Sequence, residues 1–90
     1  MPRLLVMVER AVTELQRAAY LQTLAVRCER AAVASANFWV FEQQGQRGRF
    51  LEFVEAGSAD ALESAMSAVS EPADNQPRWS AVWREAGGLN

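Results

Sequence analysis

Hydrophobic residues come in short dense runs separated by two stretches of helical spacing, which predicts the order strand, helix, strand, strand, helix, strand. Leu4, Leu5, Val6, Met7 and Val8, flanked by Arg3 and Glu9, form a continuous apolar run of the kind found in strands covered on both sides. Alternation puts Leu4, Val6 and Val8 on one face and Leu5, Met7 and Glu9 on the other. Thr13 then opens a helix, with Gln16 completing a capping box and Glu14 complementing the dipole of the first turn. Its end falls near Ser35 or Asn37. Helical spacing gathers Ala18, Leu21, Ala25, Cys28 and Ala32 into an inward stripe and sets Gln16, Thr23, Arg27 and Arg30 opposite. Tyr20 sits on the border, a half-buried amphipathic residue or a ligand-binding phenol.

The stretch from Asn37 to Glu55 carries two runs rich in aromatic and β-branched residues around a glycine-containing tip, the signature of a β-hairpin. With a four-residue tip, Gln44 to Arg47, Phe41 faces Phe50, Trp39 faces Glu52 and Phe38 faces Phe53. One face then holds Phe38, Val40, Leu51 and Phe53, with Glu42 and Arg49 as a charge pair; the other holds Asn37, Trp39, Phe41, Phe50, Glu52 and Val54. Both are largely apolar, so each needs a cover. Gly57 and Ser58 break the strand and cap a second helix, Ala59 to Val69, whose buried stripe is Ala61 or Leu62, Ala65 or Met66, and Val69. A proline-containing loop, Glu71 to Pro77, follows. Arg78 to Arg84 reads as a strand with Trp79, Ala81 and Trp83 on one side, or as a helix stacking Trp79 on Trp83; the strand covers a sheet edge. Ala86 to Asn90 is a frayed tail.

Ninety residues make one domain, residues 1–90, in which about 60 to 65% of the unfolded surface can be buried. The balance of 9 basic and 11 acidic residues, without long runs of either sign, argues against a nucleic-acid footprint. No window approaches the roughly 18 apolar residues of a membrane span, and Leu4 to Val8 is too short for a signal-peptide core. A lone cysteine, Cys28, fits a helix-packing role and a reducing compartment, so the expectation is a soluble, cytoplasmic protein. There is no histidine, which removes Ser-His-Asp and Cys-His mechanisms, proximal-histidine haem and the commonest zinc sites.

Right-handed crossovers turn this order into a ferredoxin-like βαββαβ fold: an α+β domain with a four-stranded antiparallel sheet and two helices on one face. The strand Arg3 to Glu9, the hairpin Phe38 to Glu55 and the passage Gly57, Ser58, Ala59, Asp60, Ala61, Leu62 resemble the dimeric α/β-barrel superfamily, in particular its small antibiotic-biosynthesis-monooxygenase-type domains. The resemblance covers about residues 3–70. It implies a homodimer whose bare sheet faces pack together around a small pocket in each subunit. Some members oxidise polycyclic aromatic compounds with O2 and no cofactor, others bind haem or act on small metabolites, and others have no known activity. The absence of histidine departs from the haem-degrading members.

On the face away from the helices this reading gathers Trp39, Phe41, Phe50, Glu52, Asn37, Leu5, Met7 and Glu9, an aromatic-lined cavity with a desolvated carboxylate. A raised pKa would suit Glu52 to act as general base, with Asn37 or Arg3 polarising an oxyanion and Trp39, Phe41 and Phe50 stacking a small aromatic ligand. Catalytic Glu52 and substrate-binding Asn37, Trp39, Phe41, Phe50 and Met7 then define a cofactor-independent, monooxygenase-like activity on an aromatic or polyketide-like compound. The alternative is a non-catalytic homodimerisation or accessory module, with Glu52 ion-paired to Arg3, Arg10 or an arginine of the second subunit. Glu9 with Glu52 is too sparse a set for a metal, and no cofactor is expected.

Overall fold

The structure, a computed structural model, describes residues 3–69 and 76–82. Its elements are β1 (Leu4–Ala11), α1 (Glu14–Val33), β2 (Ala36–Glu42), β3 (Arg49–Ala56), α2 (Ala59–Val69) and β4 (Trp79–Ser80). The strands form one antiparallel sheet in the order β2-β3-β1-β4, so each βαβ unit has a third strand inserted between its own two. This is the expected ferredoxin-like α+β fold. Thr13 caps α1, its hydroxyl accepting from the Gln16 N–H at 3.3 Å, and Ser58 caps α2 by accepting from the Ala61 N–H at 3.1 Å.

The core lies on one side of the sheet. Val6, Val8, Ala36, Val54 and Ala56 meet Ala31 of α1 and Leu62, Ala65, Met66 and Val69 of α2. Of the alternatives expected for α2, Leu62 is buried in place of Ala61, and Ala65 and Met66 are both buried, with Val69. β4 is shorter than the strand expected over Arg78 to Arg84: Trp79 and Ser80 pair with Leu5 and Leu4, and the Ala81 N–H donates to the Arg3 carbonyl at 2.9 Å. Trp83 and Arg84, the loop from Glu71 to Asn75 and the tail lie outside the described residues.

Two expectations are displaced by one residue each. In the hairpin, Trp39 pairs with Phe53, Val40 with Glu52 and Phe41 with Leu51, not Trp39 with Glu52 or Phe41 with Phe50. The tip is the five-residue loop Gln44 to Gly48, closed by Gln43 N–H to Arg49 O at 2.9 Å. Gly45 and Gly48 both take left-handed φ values, +79° and +91°. Gly48 is drawn out of the ladder because its N–H donates to the Glu42 carboxylate and its carbonyl accepts from the Val12 N–H, each at 2.8 Å. A one-residue slip exchanges the faces of β3. Phe50, Glu52, Val54 and Ala56 therefore turn under the helices, and Leu51 and Phe53 join Trp39 and Phe41 on the bare side. The expected pair of Glu42 with Arg49 is also absent: Glu42 binds Arg17, and Arg49 reaches Glu9.

In α1, Ala18, Leu21, Ala25, Cys28 and Ala32 are exposed, and the side facing the sheet is Arg17, Tyr20, Leu24, Arg27 and Ala31. The helix is thus turned by about 100°, one residue step, from the orientation that hydrophobicity alone selects. Its partners on the sheet are two carboxylates, which bind arginine and phenol and not alanine.

Gly48 gives a direct test of the hairpin. A Cβ there would stand 2.4 Å from the Val12 carbonyl oxygen, whereas nothing crowds one at Gly45. In denaturant unfolding, Gly48→Ala is expected to cost about 2 to 3 kcal/mol and Gly45→Ala about 1 kcal/mol, the left-handed penalty alone. Equal costs would contradict the close approach of Val12.

Candidate functional site

Residues expected to share one pocket are divided between the two faces of the sheet. Trp39, Phe41, Asn37 and Met7 belong to the bare face, and Phe50 and Glu52 to the covered one. On the bare face Phe53 stands at the centre, with Trp39 and Phe41 packed edge-on against it at centroid distances of 6.5 and 5.6 Å and interplanar angles of 87° and 84°. Trp39 remains 43% exposed, Phe41 57% and Trp79 50%. Titratable groups lie at the two ends of this face: Arg3 with Glu55 and Arg49 with Glu9, each at 3.2 Å. Asn37 donates to Glu55 at 3.2 Å.

Glu52 lies beneath α1, with 1% of its surface exposed. Arg27 binds it through both terminal nitrogens, at 2.9 and 2.7 Å, the Tyr20 hydroxyl donates to it at 2.6 Å, and Arg10 Nε lies 3.1 Å away. Three hydrogen bonds, two on Oε2 and one on Oε1, together with the Arg10 charge beside Oε2, hold the group as an ionised acceptor that is 1% exposed. Burial pushes the Glu52 carboxyl up, but the hydrogen bonds from Arg27 and Tyr20 and the charges of Arg27 and Arg10 outweigh it and hold the group below its ordinary value. The raised pKa expected of a general base is therefore replaced by a lowered one. Burial, then the bond to Glu52, raises the Tyr20 phenol, which stays protonated and donating. Of the two readings of Glu52, the ion pair to Arg10 is present, and Arg27, placed by spacing on the outer side of α1, is its principal partner.

Arg27 ties four elements together. From α1 it reaches Glu52 on β3, donates from Nε to the Val69 carbonyl at the end of α2 at 2.8 Å, and stacks 4.9 Å above the Phe38 ring of β2. Arg17 repeats the arrangement one turn from Tyr20, binding Glu42 at 2.5 and 2.8 Å and lying 5.4 Å over Phe50. The Arg17 hydrogen bond and the Gly48 N–H hold the Glu42 carboxyl down at about 2. Hydrophobic spacing missed Arg17 and Arg27, whereas Tyr20, read as a half-buried residue on the border of the stripe, is half-buried. A signal was available: three long polar residues on one helix face, opposite two glutamates of like parity once the hairpin is counted from a five-residue tip.

Among the described residues no three His, Cys, Asp or Glu side chains converge as a metal site would require, and no helix is long and apolar enough to cross a membrane. The class of the molecule is that of a small ferredoxin-like α+β domain. Compared with protein-family models, curated proteins and solved structures, the chain matches none.

Because Glu52 and Glu42 have lowered folded-state pKa values, their stabilisation is complete above the ordinary value of 4.5 and is lost as pH falls, for Glu42 down through about 2. Glu52→Gln is expected to cost about 3 kcal/mol at neutral pH, since it strands Arg27 in a buried site. Thermal melts should show the wild type losing more stability than the variant between about pH 5 and pH 2.5. Parallel pH profiles would remove Glu52 from the acid response.

Proposed function

We propose that this chain is a homodimeric module that pairs through the bare face of its sheet, with the apolar surface between the two copies as its working part. The observation that supports this reading is the Trp39, Phe41 and Phe53 cluster, flanked by Leu5, Met7, Leu51 and Trp79. Trp39, Phe41 and Trp79, each left about half exposed, present roughly 300 Å² of aromatic surface, which a small monomer seldom leaves in water. A second copy suits it because the ends of β1 carry both signs, Arg3 with Glu55 at one and Glu9 with Arg49 at the other, about 20 Å apart. Each end holds one arginine and one glutamate already paired, so neither end presents a surplus of one sign to a second copy. The face has no unpaired titratable group among the described residues to drive proton transfer.

A second reading keeps a small aromatic ligand between the paired faces, and it is favoured by a hollow of about 300 Å³ at the hairpin end, bounded by Glu9, Phe41, Arg49 and Leu51 and by Glu42, Gln43 and Phe50. In that reading Phe41 and Leu51 contact the ligand; Trp39 and Met7 lie further along the same face, and Asn37 stands at its Glu55 end. An oxygenase-like reaction there would not use Glu52 as its base.

Sedimentation equilibrium tests the pairing. The wild type is expected to dimerise with a Kd on the order of 1 μM or tighter. Trp39→Glu or Phe53→Glu should weaken it by about 30-fold or more, with far-ultraviolet circular dichroism unchanged. A wild type that stays monomeric, or variants that dimerise equally well, would contradict the proposal. Tightening of the wild-type dimer by flat aromatic compounds would favour the second reading.

A further inference from the structure

The helix side of the molecule carries a pocket that neither the pairing face nor the core accounts for. About 360 Å³ in volume, it is bounded by Arg10 of β1, by Tyr20, Thr23, Arg27 and Arg30 of α1, and by the last turn of α2. Three guanidinium groups line it, and the one carboxylate that answers them, Glu52, lies beneath. Among the described residues, three positive charges against one leave the pocket lining at +2. A single buried carboxylate needs one well-placed arginine, and Arg27 fills that role with two bonds. Arg10 comes nearest to Glu52 through Nε, and among the described residues its terminal nitrogens make no hydrogen bond. Arg30 has no ion-pair partner among the described residues. The Thr23 hydroxyl donates to the Tyr20 carbonyl at 2.7 Å and keeps its lone pairs, while the buried cluster holds the floor fixed.

We propose that this pocket binds a small dianion of the phosphate-monoester type, with Arg10 and Arg30 as its direct donors and the Arg27, Glu52 and Tyr20 cluster as the rigid base that positions Arg10. Two planar forks match the tetrahedral oxygens of a phosphate, and a +2 surplus matches a dianion better than a monocarboxylate. The volume exceeds that of inorganic phosphate and leaves room for an organic group against Ala68 and Val69. The site is on the opposite side of the sheet from the pairing surface, so occupancy and dimerisation are separable.

Titration of the full chain with inorganic phosphate, phenyl phosphate and acetate, followed by nitrogen-15 amide shifts, tests the proposal. Both phosphates should saturate with a Kd of about 1 mM or tighter, phenyl phosphate the more tightly, with shifts confined to Arg10, to residues 20–30 and to the end of α2. Acetate should bind at least about tenfold more weakly, and Arg30→Gln, at an exposed position that leaves the core intact, should weaken phosphate by roughly tenfold. Linear, unsaturated shifts, equal response to acetate, or an Arg30→Gln variant that binds as the wild type does would each overturn it.

Discussion

A buried carboxylate decides how this chain packs. Glu52 is carried into the core by the parity of β3, and once there it must be met by cations and donors. Among the described residues α1 supplies most of them, turning Arg27 and Tyr20 toward Glu52 and Arg17 toward Glu42, and leaves its alanine and leucine stripe outside. Turning α1 back by one residue would cover Leu21 and its small neighbours, a gain of about 0.8 kcal/mol per methylene. It would also strip Glu52 of its partners, at about 3 to 5 kcal/mol, and part Tyr20 from Phe50, whose rings lie 4.6 Å apart. The ion cluster therefore selects the face. Its net contribution to stability is small beside its contribution to specificity, because a well-packed apolar group in its place would serve stability as well.

Much of the architecture was legible along the chain. Apolar runs and capping residues located β1 to β3 and both helices to within a few residues, and the α2 stripe, left open between Ala61 and Leu62 and between Ala65 and Met66, falls on Leu62, Ala65, Met66 and Val69 because its one apolar face has no polar rival. The two misreadings share a cause. Alternation and helical period assign residues to faces only after a phase is chosen, and both phases were set by polar groups. At the hairpin tip, Gly48 leaves the ladder to satisfy Glu42 and Val12. On α1, arginine and tyrosine outrank alanine because of what waits on the sheet. The pairs of Glu42 with Arg17 and Glu52 with Arg27, each 25 residues apart, are contacts that no local window can register.

The slip in β3 also changes the functional picture. With Glu52 and Phe50 on the bare face, that surface would have combined aromatic rings with a base. With Leu51 and Phe53 in their place it is aromatic and aliphatic, with its charges already paired at the ends. Polar groups gather on the helix side instead, where among the described residues lining the pocket arginine exceeds carboxylate. The sheet thus separates a surface suited to apolar association from a pocket suited to anions, and Arg27 and Glu52 fix the second without touching the first.

The placement of Glu52 rests on the hairpin register, which isotope-edited nuclear Overhauser contacts measure directly. Cross-strand contacts of Phe38 with Val54 and Val40 with Glu52, together with contact between the Tyr20 and Phe50 rings, are the predicted result. Contacts of Trp39 with Glu52 and of Phe41 with Phe50 would return the carboxylate to the bare face and contradict the account.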